Sequence, residues 1–572
     1  MKNDNQYLLE IKDLSIIYQP NSEQIKAVDK LSLQLDKEES LGIIGESGSG
    51  KSSLALAIMG LIKAAETTGE IIYNGHNLAA LSDKELNKFR WQKIALVFQN
   101  SIEIFNPVLT IGEQIKEPLR THYNFSPKEL NKKVRKLLEL VGLDPKWSQQ
   151  YPHNLSGGMR QRALLAMALS CEPELLIIDE PITALDPVSK EEILELLNKL
   201  QDEFGFAMII ISHDLITIRE FSSRVMTMYA GQVVELGLTD KVFKEPCHPY
   251  TRGLLNSSPS LFKYKDLWGI EGEISQGQKK GCLFSLRCPQ SEQSCTDSQP
   301  TLEYVGLERM VACHKRGIEK FLEAKEIKKS YRLKGERIEA VKGVSLEIKS
   351  GEVVALVGES GSGKSTLAHT LAGIIKPDNG EIYYKDREVK SNWATKEVGG
   401  MQIIFQDATS ATSSRMSVLD VVKEPLDIIN WADAEQREKK AIKCLKKVQL
   451  PSKDSFLTRY CHSLSGGQRQ RLSIARSLVT DPELLIADEI TSMLDPSTQA
   501  NLLRKLKGLQ NRFGFAMLYI THDLHLARKI ADKVYVMHQG EIVEAGAAFE
   551  ILENPSSAYT KKLLASAFKG LI

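Results

Sequence analysis

The chain has 572 residues, which at roughly 100 to 250 residues per domain leaves room for two domains and a modest insert. Its 74 basic and 73 acidic residues leave a net charge of +1, so no global basic field indicates nucleic acid. No run approaches the roughly 20 apolar residues that span a bilayer, and the polar start MKNDNQYLLE lacks the apolar core of a secretory signal. We therefore expect a cytosolic protein, or one that partners hold at a membrane.

The motifs of a nucleotide site occur twice, in the same order. The first half opens with the β-rich run LEIKDLSIIY and continues through a glycine-rich loop, a helical stretch at 127–141, and the runs LSGG and LLIIDEP. The second half repeats this order from Phe321, with its motifs displaced by 309 to 313 residues. This spacing is far longer than a solenoid period of roughly 20 to 50 residues, so it indicates a duplicated α/β domain.

Two phosphate-binding loops are predicted, GESGSGKSS and GESGSGKST. Each follows an apolar strand-like run and precedes a helix-forming run, which is the context that GxxxxGK[ST] requires. Lys51 and Lys364 are expected to reach the β and γ phosphates, and Ser52 and Ser365 to bind Mg²⁺. The loop residues predicted to contact ATP are Gly45, Ser47, Gly48, Gly50, Lys51, Ser52 and Ser53 in the first half and Gly358, Ser360, Gly361, Gly363, Lys364, Ser365 and Thr366 in the second.

A pair of acidic residues ends a second apolar run in each half. LLIID and LLIAD are typical of buried parallel strands that deliver Asp179 and Asp488 to a Mg²⁺ shell. Glu180 and Glu489 follow directly and are predicted to orient or deprotonate the attacking water. A solvated loop would explain one DE pair, but not two at matching distances from a phosphate loop.

A histidine ends a further β-rich run in each half. His213 follows AMIIIS and His522 follows AMLYIT, where an imidazole can hydrogen-bond the γ phosphate. A lone histidine is usually structural, but the shared 309-residue displacement favours a catalytic role for both.

With NLSGGMRQR and SLSGGQRQR added, the chain resembles the ATP-binding cassette (ABC) family over nearly its whole length. The resemblance implies an α/β fold of two tandem nucleotide-binding domains, each a P-loop core with a β-rich subdomain and a helical signature subdomain. It also implies an intramolecular head-to-tail dimer with ATP between one phosphate loop and the other signature. The signature residues are Ser156, Gly157, Gly158 and Met159, and Ser465, Gly466, Gly467 and Gln468.

Other positions take their roles from the same resemblance. Gln99 and Gln406 match the loop that senses Mg²⁺ and touches the membrane partner. Asp186 and Asp495 match the dimer-contact aspartate, and the tyrosines that match the adenine-stacking aromatic are Tyr18 and Tyr331. A tyrosine that ends a strand is otherwise more often part of a core or rim.

Within the family, YPHNLSGGMRQR and HPYTRGLL are similar to the peptide and nickel importers, some of which fuse two ATPase subunits. The resemblance implies two integral-membrane permeases and an extracytoplasmic solute-binding protein as partners, and a peripheral place on the cytoplasmic face of the inner membrane. The second half departs from the pattern at Ile490, at Cys461 and at 407–415, which puts coupling in doubt more than ATP binding.

Four of the eight cysteines lie between the halves, spaced C-x5-C-x6-C-x17-C: Cys282, Cys288, Cys295 and Cys313. Four thiolates can hold a [4Fe–4S] cluster or a tetrahedral Zn²⁺, although no tight C-x2-C pair is present. Reduced cysteines that pack a small subdomain are the alternative. The importer resemblance extends here and favours the cluster. His314 is a neighbour that could substitute as a ligand, and the remaining cysteines are expected to be buried small hydrophobes.

The predicted domains are 1–262 and 321–572, joined by a cysteine-containing insert at 263–320. The predicted function is ATP hydrolysis, with ATP and Mg²⁺, that drives uptake of oligopeptides, dipeptides or a related solute. The alternative is a soluble tandem-cassette ATPase that acts on ribosomes or nucleic acid. That class usually has a long charged helical linker, whereas this chain has a cysteine-bearing insert.

Overall fold

The computed structural model describes residues 7–19, 24–62, 65–98, 104–180, 186–259, 261, 265–266, 269–274, 280–333, 336–390, 398–406, 413, 415–491 and 495–567. The chain forms two compact units. The first consists of Met1–Leu261, Gly272–Leu286 and Glu292–Gly317, and the second of Phe262–Glu271, Arg287–Ser291 and Ile318–Ile572. Among the helices in these described ranges, none is both long enough and apolar enough to cross a membrane.

The first unit contains two sheets. Its strands are β1 (Leu9–Tyr18), β2 (Ile25–Leu35), β3 (Ser40–Ile44), β4 (Ala65–Tyr73), β5 (His76–Asn77), β6 (Ile94–Val97), β7 (Leu175–Asp179), β8 (Ala207–Ile211), β9 (Arg224–Tyr229), β10 (Gln232–Leu238), β11 (Glu303–Tyr304) and β12 (Arg309–Val311). An antiparallel sheet has the order β2-β1-β4-β5, and the larger sheet has the order β11-β12-β10-β9-β3-β8-β7-β6. Strands β3, β6, β7, β8 and β9 run parallel.

The parallel strands are almost continuously apolar because both faces of the sheet are buried, one against helices and the other against the antiparallel sheet and the helix Lys51–Ile58. β7 and β8 are buried at every residue. Strands β11 and β12 extend the antiparallel edge, so part of the predicted insert completes the sheet of the first unit. The helices are Lys51–Ile58, Asp83–Leu86, Ile111–His122, Pro127–Leu140, Gly157–Ala168, Pro187–Phe204, Leu215–Phe221, Thr239–Lys244, Pro249–Asn256 and Gln293–Asp297.

The second unit repeats this plan. Its strands are β13 (Lys320–Leu333), β14 (Glu336–Lys349), β15 (Val353–Val357), β16 (Asn379–Tyr384), β17 (Arg387–Glu388), β18 (Met401–Ile404), β19 (Leu484–Asp488), β20 (Ala516–Thr521), β21 (Lys533–His538) and β22 (Glu541–Ala547). The sheet orders are β14-β13-β16-β17 and β18-β19-β20-β15-β21-β22. The larger sheet has six strands here against eight in the first unit, since among the described residues no counterpart of β11 and β12 joins it.

Local sequence explains where its helices begin. Ser465 and Gln468 form a reciprocal capping box, and Asp495 caps the helix that Pro496 opens. The helices are Lys364–Leu371, Val418–Ile428, Ala434–Lys447, Asp454–Leu457, Gly466–Leu478, Pro496–Phe513, Leu524–Ile530, Ala548–Glu553 and Ala558–Ala567. Both units thus combine an α/β core, an antiparallel β subdomain and a helical subdomain, as predicted from the sequence.

Candidate nucleotide sites

Each phosphate loop joins a central parallel strand to a helix that begins at the lysine of the motif. Gly50 and Gly363 cap these helices with φ of 103°, in the left-handed region that favours glycine. A Cβ on Gly50 would lie 2.0 Å from the carbonyl oxygen of Ala27, and one on Gly363 would lie 2.1 Å from that of Ala340. Glycine is therefore required sterically as well as conformationally. A glycine-rich loop that leads into a helix N-terminus is the arrangement that binds phosphate in proteins.

The lysine side chains fold back onto their own loops. Lys51 Nζ donates to the carbonyl oxygens of Gly45 and Glu46, both at 2.9 Å, and Lys364 Nζ donates to those of Gly358 and Glu359 at 2.9 and 2.8 Å. Both ammonium groups are buried. Each loop thus holds its cation next to the space where phosphate binds.

Burial lowers the pKa of Lys51 to about 8, while the carboxylates of Glu180 and Asp179 oppose the shift. Below pH 8 the ammonium is charged and ready for phosphate. Above it, ATP binding must recover a proton, so affinity at the first loop should fall by up to about tenfold per pH unit. Titration calorimetry at about pH 9 in two buffers of different ionisation enthalpy should detect proton uptake.

The matched control for this pH dependence is Lys51→Arg, which stays protonated, and both proteins should carry Lys364→Ala so that only the first loop binds. A guanidinium should make affinity independent of pH in this range. An equally flat profile for Lys51 would contradict the prediction.

The predicted Mg²⁺ ligands are paired within each unit. Ser365 Oγ donates to Asp488 Oδ1 at 3.1 Å, and Ser52 likewise hydrogen-bonds Asp179. Burial raises the pKa of both aspartates, and the serine hydroxyl opposes that increase. A hydroxyl beside a buried carboxylate is a donor set that suits Mg²⁺, whose charge would favour the ionised acid.

The two predicted catalytic glutamates have unusual backbone conformations. Glu180 has φ of 53° and Glu489 has φ of 44°, which is rare for residues with a side chain. Their N–H groups donate to the carbonyl oxygens of Ile211 and Ile520 on the adjacent strand, at 2.8 and 3.0 Å. In each unit, therefore, the adjacent strand fixes the backbone of the glutamate at the end of the sheet.

Each glutamate lies next to the predicted histidine of its own unit. His213 Nε2 is 2.7 Å from Glu180 Oε1, whereas His522 Nδ1 is 3.6 Å from Glu489 Oε2. Gln406 Nε2 donates to Glu489 Oε2 at 3.2 Å. The structure thus brings acid and imidazole together twice, with a closer pair in the first unit. Gln99, the counterpart of Gln406, lies outside the described residues.

The signature residues form helix N-termini that differ between the units. Ser156 Oγ accepts from Met159 N–H at 3.3 Å, and Ser465 Oγ accepts from Gln468 N–H at 3.3 Å. Gln468 Oε1 also accepts from Ser465 N–H at 3.0 Å, a bond that methionine cannot make. Methionine at the first signature therefore removes half of a capping box and leaves the serine cap intact.

The remaining predicted positions have mixed surroundings. Tyr18 OH donates to Ser53 Oγ of the phosphate loop at 3.4 Å, so this tyrosine lies at the nucleotide site. Tyr331 is 39% exposed, with the ammonium of Lys329 6.0 Å from its ring centroid. Asp186 caps the helix Pro187–Phe204 by accepting from Ser189 N–H at 3.0 Å.

The described part of the chain contains no group of three or more His, Cys, Asp or Glu side chains placed to hold a metal ion. Burial raises the pKa of Cys282 to about 11, and the nearby thiols of Cys295 and Cys313 add to the increase. These three cysteines belong to the first unit, whereas Cys288 belongs to the second. The four thiols have the donor chemistry that a [4Fe–4S] cluster or Zn²⁺ requires.

One contact of the phosphate loop was not predicted. Glu46 N–H donates to Tyr250 OH at 2.8 Å, which joins the first loop to the HPY sequence at 248–250. The sequence signal was a tyrosine 309 residues later, Tyr559, at the same displacement as the catalytic motifs.

Two phosphate loops, each with a buried lysine, a serine–aspartate pair and a strand-end glutamate, define a duplicated P-loop ATPase. The ABC transporter family model matches residues 28–183 and 341–492, and a model of the oligopeptide/dipeptide transporter C-terminal region matches 234–295. The chain belongs to the ABC transporter family, with two ATP-binding cassettes in one polypeptide.

Curated relatives extend over nearly the whole chain. The glutathione import ATP-binding protein GsiA of Salmonella paratyphi A is 35% identical over 583 residues, covering 98% of this chain and 90% of the relative. The oligopeptide transport ATP-binding protein OppD of Mycobacterium tuberculosis is 34% identical over 601 residues, covering 97% and 98%. A solved dimeric bacterial ABC transporter cassette is 32% identical over 40% of this chain and 98% of its own, with a TM-score of 0.36.

The family model and the two full-length relatives confirm the predicted family, fold class and ATPase activity. They favour the transporter function over the alternative of a ribosome-bound or nucleic-acid-bound ATPase, since both full-length relatives are transport proteins by name.

Proposed function

We propose that this protein is the ATP-hydrolysing subunit of an importer for short peptides or a peptide-like solute such as glutathione. The observation that carries the proposal is that this chain combines two cassettes with the oligopeptide/dipeptide transporter C-terminal region. Its full-length relatives are named for glutathione import and oligopeptide transport. The implied partners are two permease subunits and an extracytoplasmic solute-binding protein, with this chain peripheral on the cytoplasmic face of the membrane.

The proposed chemistry uses matching residues in each cassette. Lys51 and Lys364 bind the β and γ phosphates, and the serine–aspartate pairs hold Mg²⁺. Glu180 and Glu489 accept the proton of the attacking water, while the adjacent histidine orients the γ phosphate. We further propose that the cassettes pair head to tail, so that each signature helix N-terminus completes the site of the other phosphate loop.

Purification of the tagged protein from its own cells in mild detergent tests the transport function. Two multi-spanning permeases should be recovered with it, and ATP hydrolysis by the complex in vesicles should increase when binding protein and peptide are added. Recovery of ribosomes or DNA-repair proteins without membrane proteins would contradict the proposal.

We also propose that the cysteines at 282, 288, 295 and 313 bind a metal centre, with [4Fe–4S] favoured over Zn²⁺. The proposal rests on four thiol donors in one short segment and on the proximity of Cys295 and Cys313 to Cys282. A bound centre requires thiolates, so binding would lower the pKa that burial now raises.

Anaerobic purification followed by iron, sulfide and zinc analysis tests this metal centre. We expect roughly four irons and four sulfides per chain. Cys282→Ser should remove them, whereas Cys171→Ser, at a buried cysteine outside the segment, should not. One zinc per chain would support the alternative, and metal-free protein would contradict both.

A further inference from the structure

The first phosphate loop depends on a peptide unit that is held from both sides. The carbonyl oxygen of Gly45 accepts from Lys51 Nζ at 2.9 Å, and the N–H of Glu46, in the same peptide unit, donates to Tyr250 OH at 2.8 Å. The carbonyl oxygen of Glu46, in the next peptide unit, accepts from Lys51 Nζ at 2.9 Å and from Ser49 N–H at 3.2 Å. The Tyr250 side chain is fully buried. The hydroxyl therefore fixes the peptide that positions the phosphate-binding lysine.

Each residue of the sequence HPY has a separate structural role. His248 Nδ1 accepts from Tyr250 N–H at 3.1 Å and caps the helix that Pro249 opens. Burial lowers the pKa of His248 to about 3, so the imidazole stays neutral and can accept that bond. The cap and the proline together direct the tyrosine toward the loop.

The cysteine-bearing segment covers this tyrosine. The ring of Phe284 lies 5.4 Å from that of Tyr250, 5.2 Å from that of Tyr229 and 5.7 Å from that of His248, measured between centroids. Phe284 N–H also hydrogen-bonds the Cys282 thiol. A structural change at that thiol would therefore reach Tyr250 through a single residue.

An arginine from the same segment secures the start of the helix. Arg309 Nη1 donates to the carbonyl oxygen of Glu245 at 2.6 Å, and Arg309 Nε lies 3.8 Å from Glu235 Oε1. Glu235 is completely buried and accepts from the N–H groups of Cys247 and His248, both at 2.9 Å. Phe284 thus packs directly on His248 and Tyr250, and Arg309 lies near the Glu235 carboxylate that accepts from the His248 N–H.

The second cassette has the tyrosine without this cover. Glu544 accepts from Ser556 N–H at 2.6 Å, as Glu235 does from its own loop, but it is not fully buried. Burial raises the pKa of Tyr559, and a backbone contact with Glu359, the counterpart of Glu46, opposes that increase; this contact does not reach the hydrogen-bond geometry of the pair Glu46–Tyr250, and Tyr559 is only half-buried. Its ring stacks on His538 at 3.9 Å.

We propose that Tyr250 is a positioning residue for the first phosphate loop, and that the cysteine-bearing segment, through Phe284, sets ATP affinity at that loop but not at the second. This inference rests on the proposed assignment of the two loops as ATP sites. The physical reason is pre-organisation. A loop already fixed at Glu46 loses less conformational freedom when phosphate binds.

The experiment measures binding of a fluorescent ATP analogue with Mg²⁺ to each loop separately. Full-length protein with Lys364→Ala reports on the first loop, and protein with Lys51→Ala reports on the second. Tyr250→Phe removes only the hydroxyl and leaves the Glu46 N–H without its partner. We expect the dissociation constant at the first loop to rise roughly five- to tenfold.

The matched control is Tyr559→Phe, which should change affinity at the second loop by less than about twofold, since it removes only the weaker backbone contact with Glu359. Phe284→Ala keeps the tyrosine hydroxyl and removes its cover. It should weaken the first loop roughly threefold and leave the second unchanged. If Tyr250→Phe failed to fold, Phe284→Ala would test the same coupling.

Equal affinity losses at both loops, or none at the first, would overturn the inference. A general folding defect would lower ATP affinity at both loops, and Tyr250→Phe and Tyr559→Phe would then show similar losses. Failure of the two parent proteins to bind nucleotide at all would instead contradict the proposed ATP sites.

Discussion

Replacing both Glu180 and Glu489 by glutamine is expected to reduce ATP hydrolysis by at least about 100-fold, because a general base contributes roughly 10² to 10⁴ to the rate. Glutamine has nearly the same shape but cannot accept the proton of the attacking water. Both side chains lie at strand ends beside a histidine, 2.7 Å away in the first unit and 3.6 Å in the second. Phosphate release under steady-state conditions measures the loss.

ATP affinity in the double variant should remain within about threefold of the parent, since the phosphate loops are unchanged. The matched control is Glu195→Gln, on the exposed side of the helix Pro187–Phe204, which should hydrolyse ATP normally. Unchanged hydrolysis in the double variant would reject the assignment of both glutamates. The single variants will show whether the closer histidine contact makes the first site faster.

Replacing both Lys51 and Lys364 by alanine is expected to weaken ATP binding by roughly 100-fold, because charge-assisted contacts to the β and γ phosphates are lost. The effect is large because each ammonium lies among buried carboxylates. Without the Lys51 ammonium, the carboxylates of Asp179 and Glu180 would repel the phosphates. Equilibrium binding of a fluorescent ATP analogue measures the change.

Lys199→Ala is the control for this pair, since its side chain is exposed on the helix Pro187–Phe204. It should bind ATP as the parent does. The double lysine variant should also lose the increase in melting temperature that ATP confers, which follows from binding to the native state. Retained affinity would mean that the lysines do not contact the phosphates.

Local sequence determined the positions of the candidate catalytic groups. A glycine loop between an apolar strand and a helix has few alternative conformations, and Gly50 and Gly363 are the residues that the close backbone approach requires. Runs such as LLIID read directly as buried parallel strands that end in an acid. The predictions for Lys51, Asp179 and Glu180 therefore needed only the phosphate-loop motif and the run of apolar residues before the acids.

Residues that act through long-range contacts were harder to predict. The left-handed conformations of Glu180 and Glu489 depend on hydrogen bonds to an adjacent strand. The cysteine segment was predicted as a separate metal-binding insert, but spacing could not show that β11 and β12 pair with the first sheet or that Cys288 belongs to the other unit. Strand pairing and thiol proximity join residues far apart in sequence, so periodicity does not report them.

The sequence by itself determined that the chain is a duplicated ATPase with two phosphate loops, because each loop is a contiguous motif whose geometry is set locally. Only the tertiary structure decided that the duplicates differ. Tyr250 and Tyr559 occupy matching positions, but the first is buried beneath Phe284 and bonded to the phosphate loop, while the second lacks that cover. The physical reason is that burial depends on which distant segment packs over a residue, and a repeated motif does not specify its neighbours.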